Sequence, residues 1–107
     1  MKKIIPFKKE IIFKTKLSEV TSISLENTLK IENNIVSGSF IVNGEYKVTD
    51  NSVDLEKFLY ELPFEVAFDP KYDLIDSTVD IDDFYYEIIN NSILSINIEI
   101  LSSFILS

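Results

Sequence analysis

Cysteine, histidine, tryptophan, arginine and glutamine are all missing from the 107 residues. Without cysteine the chain has no disulfide, no thiolate metal ligand and no cysteine nucleophile, and its redox compartment is left open. Without histidine it also loses the commonest general base and the commonest transition-metal ligand, so any catalysis would fall to carboxylates, Lys, Ser or Tyr. The missing arginine removes the side chain best suited to bidentate contacts with phosphate and guanine. Apolar runs are short, far below the roughly 20 residues that span a bilayer. The opening Met1-Lys2-Lys3-Ile4-Ile5-Pro6-Phe7-Lys8-Lys9 is broken by Pro6 and Lys8 before a secretory apolar core can form. The expectations are no membrane span, no signal peptide, a cytoplasmic location, no cofactor and no enzymatic activity.

Hydrophobic residues make up 46% of the chain and charged residues 26%, the balance of a globular domain rather than a disordered segment. No linker, repeat or low-complexity tract divides it, and only two Gly and three Pro punctuate it. One domain over residues 1–107 is predicted, with a core over about 8–101 and an apolar tail over 102–107. The net charge of -8 is unevenly placed. Seven of the ten Lys fall in residues 1–30 beside three of the eighteen acids, leaving three Lys and fifteen acids to the rest. An acidic body repels phosphate backbones, so no nucleic-acid partner is expected. The Lys-rich start reads as a solvated strand face complementing that body, or as a small patch for an anionic ligand.

Alternation with period two dominates, which predicts strands. Ile11, Phe13, Thr15 and Leu17 form the inward set of a first strand, with Glu10, Lys14 and Lys16 in water. Asn33-Asn34 reads as a two-residue turn, because Asn tolerates the positive φ of a type I′ turn. That register sets Ile31 against Val36, Leu29 against Gly38 and Leu25 against Val42. Reading straight through Asn43-Gly44 keeps Phe40, Val42, Tyr46 and Val48 on one side, with Gly44 as a small inward position, and Asp50-Asn51-Ser52 ends the strand. Phe58, Tyr60, Leu62, Phe64, Val66 and Phe68 share one face, divided by Pro63 into two short strands, with a turn at Asp69-Pro70-Lys71. A last hairpin sets Phe84, Tyr86 and Ile88 against Ile98, Ile96 and Leu94 around Asn90-Asn91-Ser92, with Asn91 left-handed. Tyr85, Glu87, Ser95 and Asn97 then face out. The predicted fold is all-β, a single antiparallel β-sandwich of about seven strands.

Few residues suggest chemistry. Asp80, Asp82, Asp83 and Glu87 form the one compact acidic cluster, with Asp69, Asp73 and Asp76 upstream, and their oxygens would suit calcium. Their spacing is not that of an EF-hand loop, and a solvated strand edge accounts for them better than calcium or a carboxylate acid/base pair, since edge charges discourage aggregation. Tyr72, Tyr85 and Tyr86 stand beside those acids. Exposed rings among carboxylates can hold a sugar or a basic peptide, but half-buried sheet positions explain them more simply; Tyr85 is the one that parity places outside. The tail, including Phe104 and Ile105, either continues the last strand into the core or forms an apolar surface for a partner or a second copy.

The segments Ile35-Val36-Ser37-Gly38-Ser39-Phe40-Ile41-Val42, Glu45-Tyr46, Phe58-Leu59-Tyr60-Glu61-Leu62-Pro63-Phe64, Val79-Asp80-Ile81 and Leu94-Ser95-Ile96-Asn97-Ile98 resemble the SPOCS domain of Firmicute spore-associated proteins. The resemblance implies a β-rich interaction module in spore-envelope assembly, with no catalytic residues to carry over. These residues hold one such unit and no LysM segment, a departure from that family. The functional expectation is a non-catalytic protein-interaction or assembly module, acting on a protein partner or by self-association into a homo-oligomer. The alternatives are a small-ligand or carbohydrate-binding domain and a phage-type structural subunit.

Overall fold

The computed structural model describes residues 2–68 and 72–106, the side chains of 72–78 and 104–106 excepted. Among them are seven strands and no helix: β1 (Lys2–Ile12), β2 (Glu19–Asn27), β3 (Lys30–Glu32), β4 (Ile35–Lys47), β5 (Glu56–Ala67), β6 (Tyr72–Ile89) and β7 (Ile93–Leu106). All pairing is antiparallel. One sheet has the order β1-β7-β6; in the other, β4 is central, with β2 and β3 in succession along one side and β5 along the other. The molecule measures 57 × 20 × 18 Å. A strand of 18 residues such as β6 rises roughly 3.3 Å per residue, so the long axis is the strand direction.

The two predicted hairpins form in the predicted registers. Ile31 pairs with Val36 and Leu25 with Val42, around Asn33 at φ 49 and Asn34 at φ 63. Leu29 and Gly38, expected to face each other, fall where the chain leaves the ladder between β2 and β3, and Gly38 there takes a φ of 144. Phe84, Tyr86 and Ile88 pair with Ile98, Ile96 and Leu94. Asn90 as well as Asn91 is left-handed, at φ 51 and φ 53. β4 runs straight through Asn43-Gly44, as its apolar parity requires.

Both sheets contribute to one core cluster. Ile5, Ile11, Leu94, Ile96, Ile98 and Ile100 come from the first, and Val36, Phe40, Val42, Tyr46, Phe58, Leu62 and Phe64 from the second. Aromatic rings cross between them: Phe7 lies 5.1 Å from Phe40 and 5.8 Å from Phe64, and Phe13 lies 5.0 Å from Tyr46 and 5.7 Å from Phe58. Phe7 of β1 and Phe13 just beyond it thus each touch rings of both β4 and β5. Burial pushes the pKa of the Tyr60 hydroxyl above its ordinary value, and Tyr46 nearby adds to the effect.

Four expectations are corrected. The first strand is Lys2–Ile12, earlier than the alternation from Ile11 to Leu17 suggested. Residues 13–18 are instead a crossover: Phe13 and Leu17 are buried, Thr15 is exposed, and backbone bonds tie Phe13 N to Ser92 O at 2.8 Å and Ser18 N to Lys47 O at 2.9 Å. Thr15 therefore points to no core, although its hydroxyl meets that of Tyr46 at 2.8 Å. Next, β5 is one strand through Pro63, not two. Pro63 faces Ser39 on a strand with a single neighbour, where a missing N–H need break no central ladder.

The third correction is Ser95, which is buried rather than facing water. It lies in the middle strand between Glu10 and Glu87, and a short side chain flanked by long ones loses its solvent. Last, Tyr86 shares the inward face of Ile96 but remains 38% exposed. The row Lys9, Ile96, Tyr86 runs edge to edge across the sheet, so only its middle residue is fully covered.

Ser102, also in β7, has a buried hydroxyl with no hydrogen-bond partner among the described residues. An unsatisfied buried hydroxyl costs on the order of 1–3 kcal/mol. Ser102→Ala is expected to raise stability by about 1 kcal/mol, read as a higher urea midpoint at unchanged slope; a loss of that size would mean the hydroxyl is satisfied.

Candidate interaction surfaces

The acidic cluster lies along β6, an edge of its sheet. Asp80, Asp82, Asp83 and Glu87 are all exposed. The ladder skips Asp82 between Ile81 and Asp83, marking a bulge, and the Asp83 carboxylate accepts a bond from the Phe84 N–H at 2.9 Å. Among the described residues, no three carboxylates converge as a metal would need. A strand spreads its side chains about 3.3 Å apart on alternating faces, so neighbouring acids diverge rather than gather.

Tyr85 is 48% exposed, on the outer face with Asp83 and Glu87. Its cross-strand neighbours are Asn97 and, one strand further, Lys8. The ring is therefore one aromatic position in a flat polar grid. The side chains of Tyr72, Phe104 and Ile105, with Asp73 and Asp76, lie outside the described residues, as does Asp69. The backbone of 104–106 continues β7, pairing Leu106 with Tyr72 and Ile105 with Asp73. β1 reaches only as far as Ser103, so this stretch has a strand on one side alone among the described residues.

Four edges border the two sheets, and each carries a feature that discourages strand addition. β1 has Pro6 and four Lys; β2 has a register shift between Val20 and Ser22 and gives way to β3 after Asn27; β5 has Pro63; β6 has its bulge. Docking through an extended backbone ladder is disfavoured at all of them, which leaves side-chain contacts.

Two features escaped the sequence reading. The first is an open depression of about 470 Å³ on the sheet containing β4, lined by Ser22, Asn43, Glu45, Lys57 and Leu59 around Gly44. Only the cross-strand register brings these residues together, and no local spacing announces it. The second is a gathering of exposed apolar side chains toward one end. Ile12, 75% exposed, ends β1; Val53, 94% exposed, and Leu55 lie in the β4–β5 connection; Leu59, 68% exposed, is early in β5. The Phe13 contacts with Tyr46 and Phe58 place the end of β1 level with the start of β5, while alternation turns Ile12 and Leu59 to the outer faces of their two sheets. No protein-family model, curated protein or solved structure matches the chain.

Proposed function

We propose that this chain is a non-catalytic protein-interaction module, with its two sheets stacked as a sandwich, working in an assembly of the kind its SPOCS-like segments imply. The exposed apolar side chains Val53, Leu55 and Leu59, in the β4–β5 connection and at the start of β5, are the observation that carries this reading. Scattered exposed apolar residues are ordinary, but several at one end of a narrow molecule mark a surface that gains from being covered. The side-chain chemistry agrees, since no His or Cys is present to serve as base, nucleophile or metal ligand.

Affinity capture with the full chain, followed by reconstitution from purified components, tests the reading. A stoichiometric partner that binds the native chain and is lost with Val53→Asp and Leu59→Asp is the expected outcome. Equal retention by the variant, or no reconstituted complex, would sink it. A second reading, a small-ligand or carbohydrate site, is favoured by the depression near Gly44, where Glu45 and Lys57 face each other beside Leu59. Depressions of several hundred Å³ are the size that small molecules use.

A further inference from the structure

We infer that the two edges of the β1-β7-β6 sheet recognise each other between copies, so that the chain self-associates head to tail through opposite charge. This deepens the interaction-module reading and rests on it, but it uses a different surface from the apolar end. One edge, β1, carries Lys2, Lys3, Lys8 and Lys9 with Glu10 as its lone acid. The other, β6, carries Asp80, Asp82, Asp83 and Glu87 in its described part and no lysine. All these side chains are exposed. Among the described residues, the ion pairs are Lys30 with Glu32 and Lys47 with Glu19, so no described ion pair neutralises either charged edge. Lys3 lies over the Phe68 ring at 5.6 Å, a cation–π contact.

Strand direction decides the geometry. β1 and β6 each run antiparallel to β7 and therefore parallel to each other. A twofold axis would bring β1 against β1 or β6 against β6, setting like charges face to face. A copy displaced sideways brings β6 beside the β1 of its neighbour, running the same way, with Asp80 to Asp83 level with Ile4 to Pro6, between the pairs Lys2-Lys3 and Lys8-Lys9, whose long side chains reach the carboxylates along the edge. Such a contact is heterologous, and it leaves an unused edge of each kind at the ends of every oligomer. Pro6 and the bulge at Asp82 interrupt any continuous backbone ladder, so charged side chains carry the contact and the association is weak and reversible.

Salt dependence separates this from apolar association. At about 0.1 M salt the screening length is about 10 Å, long enough for edge pairs to act and short enough to mute the repulsion between whole copies of charge -8. At about 1 M it is about 3 Å and the edge pairs are screened. Sedimentation velocity of the full chain should therefore show oligomers at the lower salt, with association weakened about tenfold at the higher. Lys8→Glu with Lys9→Glu should be monomeric, and so should Asp80→Lys with Asp82→Lys. An equimolar mixture of the two variants should associate again, because each then offers the charge the other needs. If the bulge does not tolerate Asp82→Lys, Asp80→Lys with Glu87→Lys reads the same edge.

A native chain that is monomeric at the lower salt overturns the inference, as does association that persists in either variant alone or fails to return on mixing. Association strengthened at the higher salt and lost with Val53→Asp would overturn this edge contact while leaving the interaction-module reading standing.

Discussion

Phe40→Ala should lower the unfolding free energy by about 3–5 kcal/mol. The Phe40 side chain is fully buried in the central strand β4, with the Phe7 ring 5.1 Å away and the Phe64 ring 5.6 Å away. Removing it takes away both the buried ring and the packing that joins the two sheets, and neighbours held in ladders cannot collapse far into the gap. A chain of this length has a total stability of roughly 5–15 kcal/mol, so the loss is a large share of it. Urea unfolding followed by circular dichroism measures the change as a lower midpoint. A loss under about 1 kcal/mol would mean that the two sheets do not share this residue as interior. Phe40→Leu, which keeps most of the apolar volume, should recover the larger part.

Gly44→Ala should cost on the order of 3 kcal/mol, although a single methyl group is added. In an unconstrained strand the same change would stabilise by about 0.4–1 kcal/mol by narrowing the unfolded ensemble. Here a Cβ would stand 2.9 Å from Phe58 Cζ and 3.0 Å from the Ser22 carbonyl carbon, with the Ser22 oxygen in the way as well. Phe58 can turn aside, but the backbone of β2 cannot move without giving up its pairing with β4. Gly44→Ala combined with Phe58→Ala is therefore expected to show no rescue, since the clash with Ser22 persists. If the double variant recovers the loss, the ring and not the β2 backbone sets the constraint. Either result is read from the urea midpoints of the two single variants and the double variant.

The reasons that some elements could be read from sequence are local. Leu25, Ile31, Val36 and Val42 alternate on strands joined by Asn33-Asn34, and two Asn residues that accept positive φ fix the register within a few residues. The same holds for Phe84 to Ile98 around Asn90 and Asn91. Gly44 as a small inward position followed from the parity of Phe40, Val42, Tyr46 and Val48, and the approach of Ser22 and Phe58 gives the reason for it. Pro63 misled because the cost of a missing N–H depends on having neighbours on both sides, and β5 has one. Ser95 misled because burial in a middle strand depends on the residues of other strands, not on its own alternation.

The candidate surfaces divide the same way. Tyr85 is exposed as its parity implies, and the acids of Asp80 to Glu87 were visible as a charge run. Their place on an edge facing away from the lysines of β1 was not, because residues 2–12 and 72–89 meet only through β7. The apolar end likewise draws on Ile12, Val53 and Leu55, far apart along the chain.

Alternation and turn chemistry, acting over a handful of covalently linked residues, were enough to specify the two hairpin registers and the inward faces of Phe40 to Tyr46 and Phe58 to Phe68. Which strands became edges, which short polar side chains were buried and which charges came to border the same sheet required pairings between remote segments. Those pairings follow from how the apolar faces of all seven strands cover one another at once, a condition that no single stretch of the chain carries.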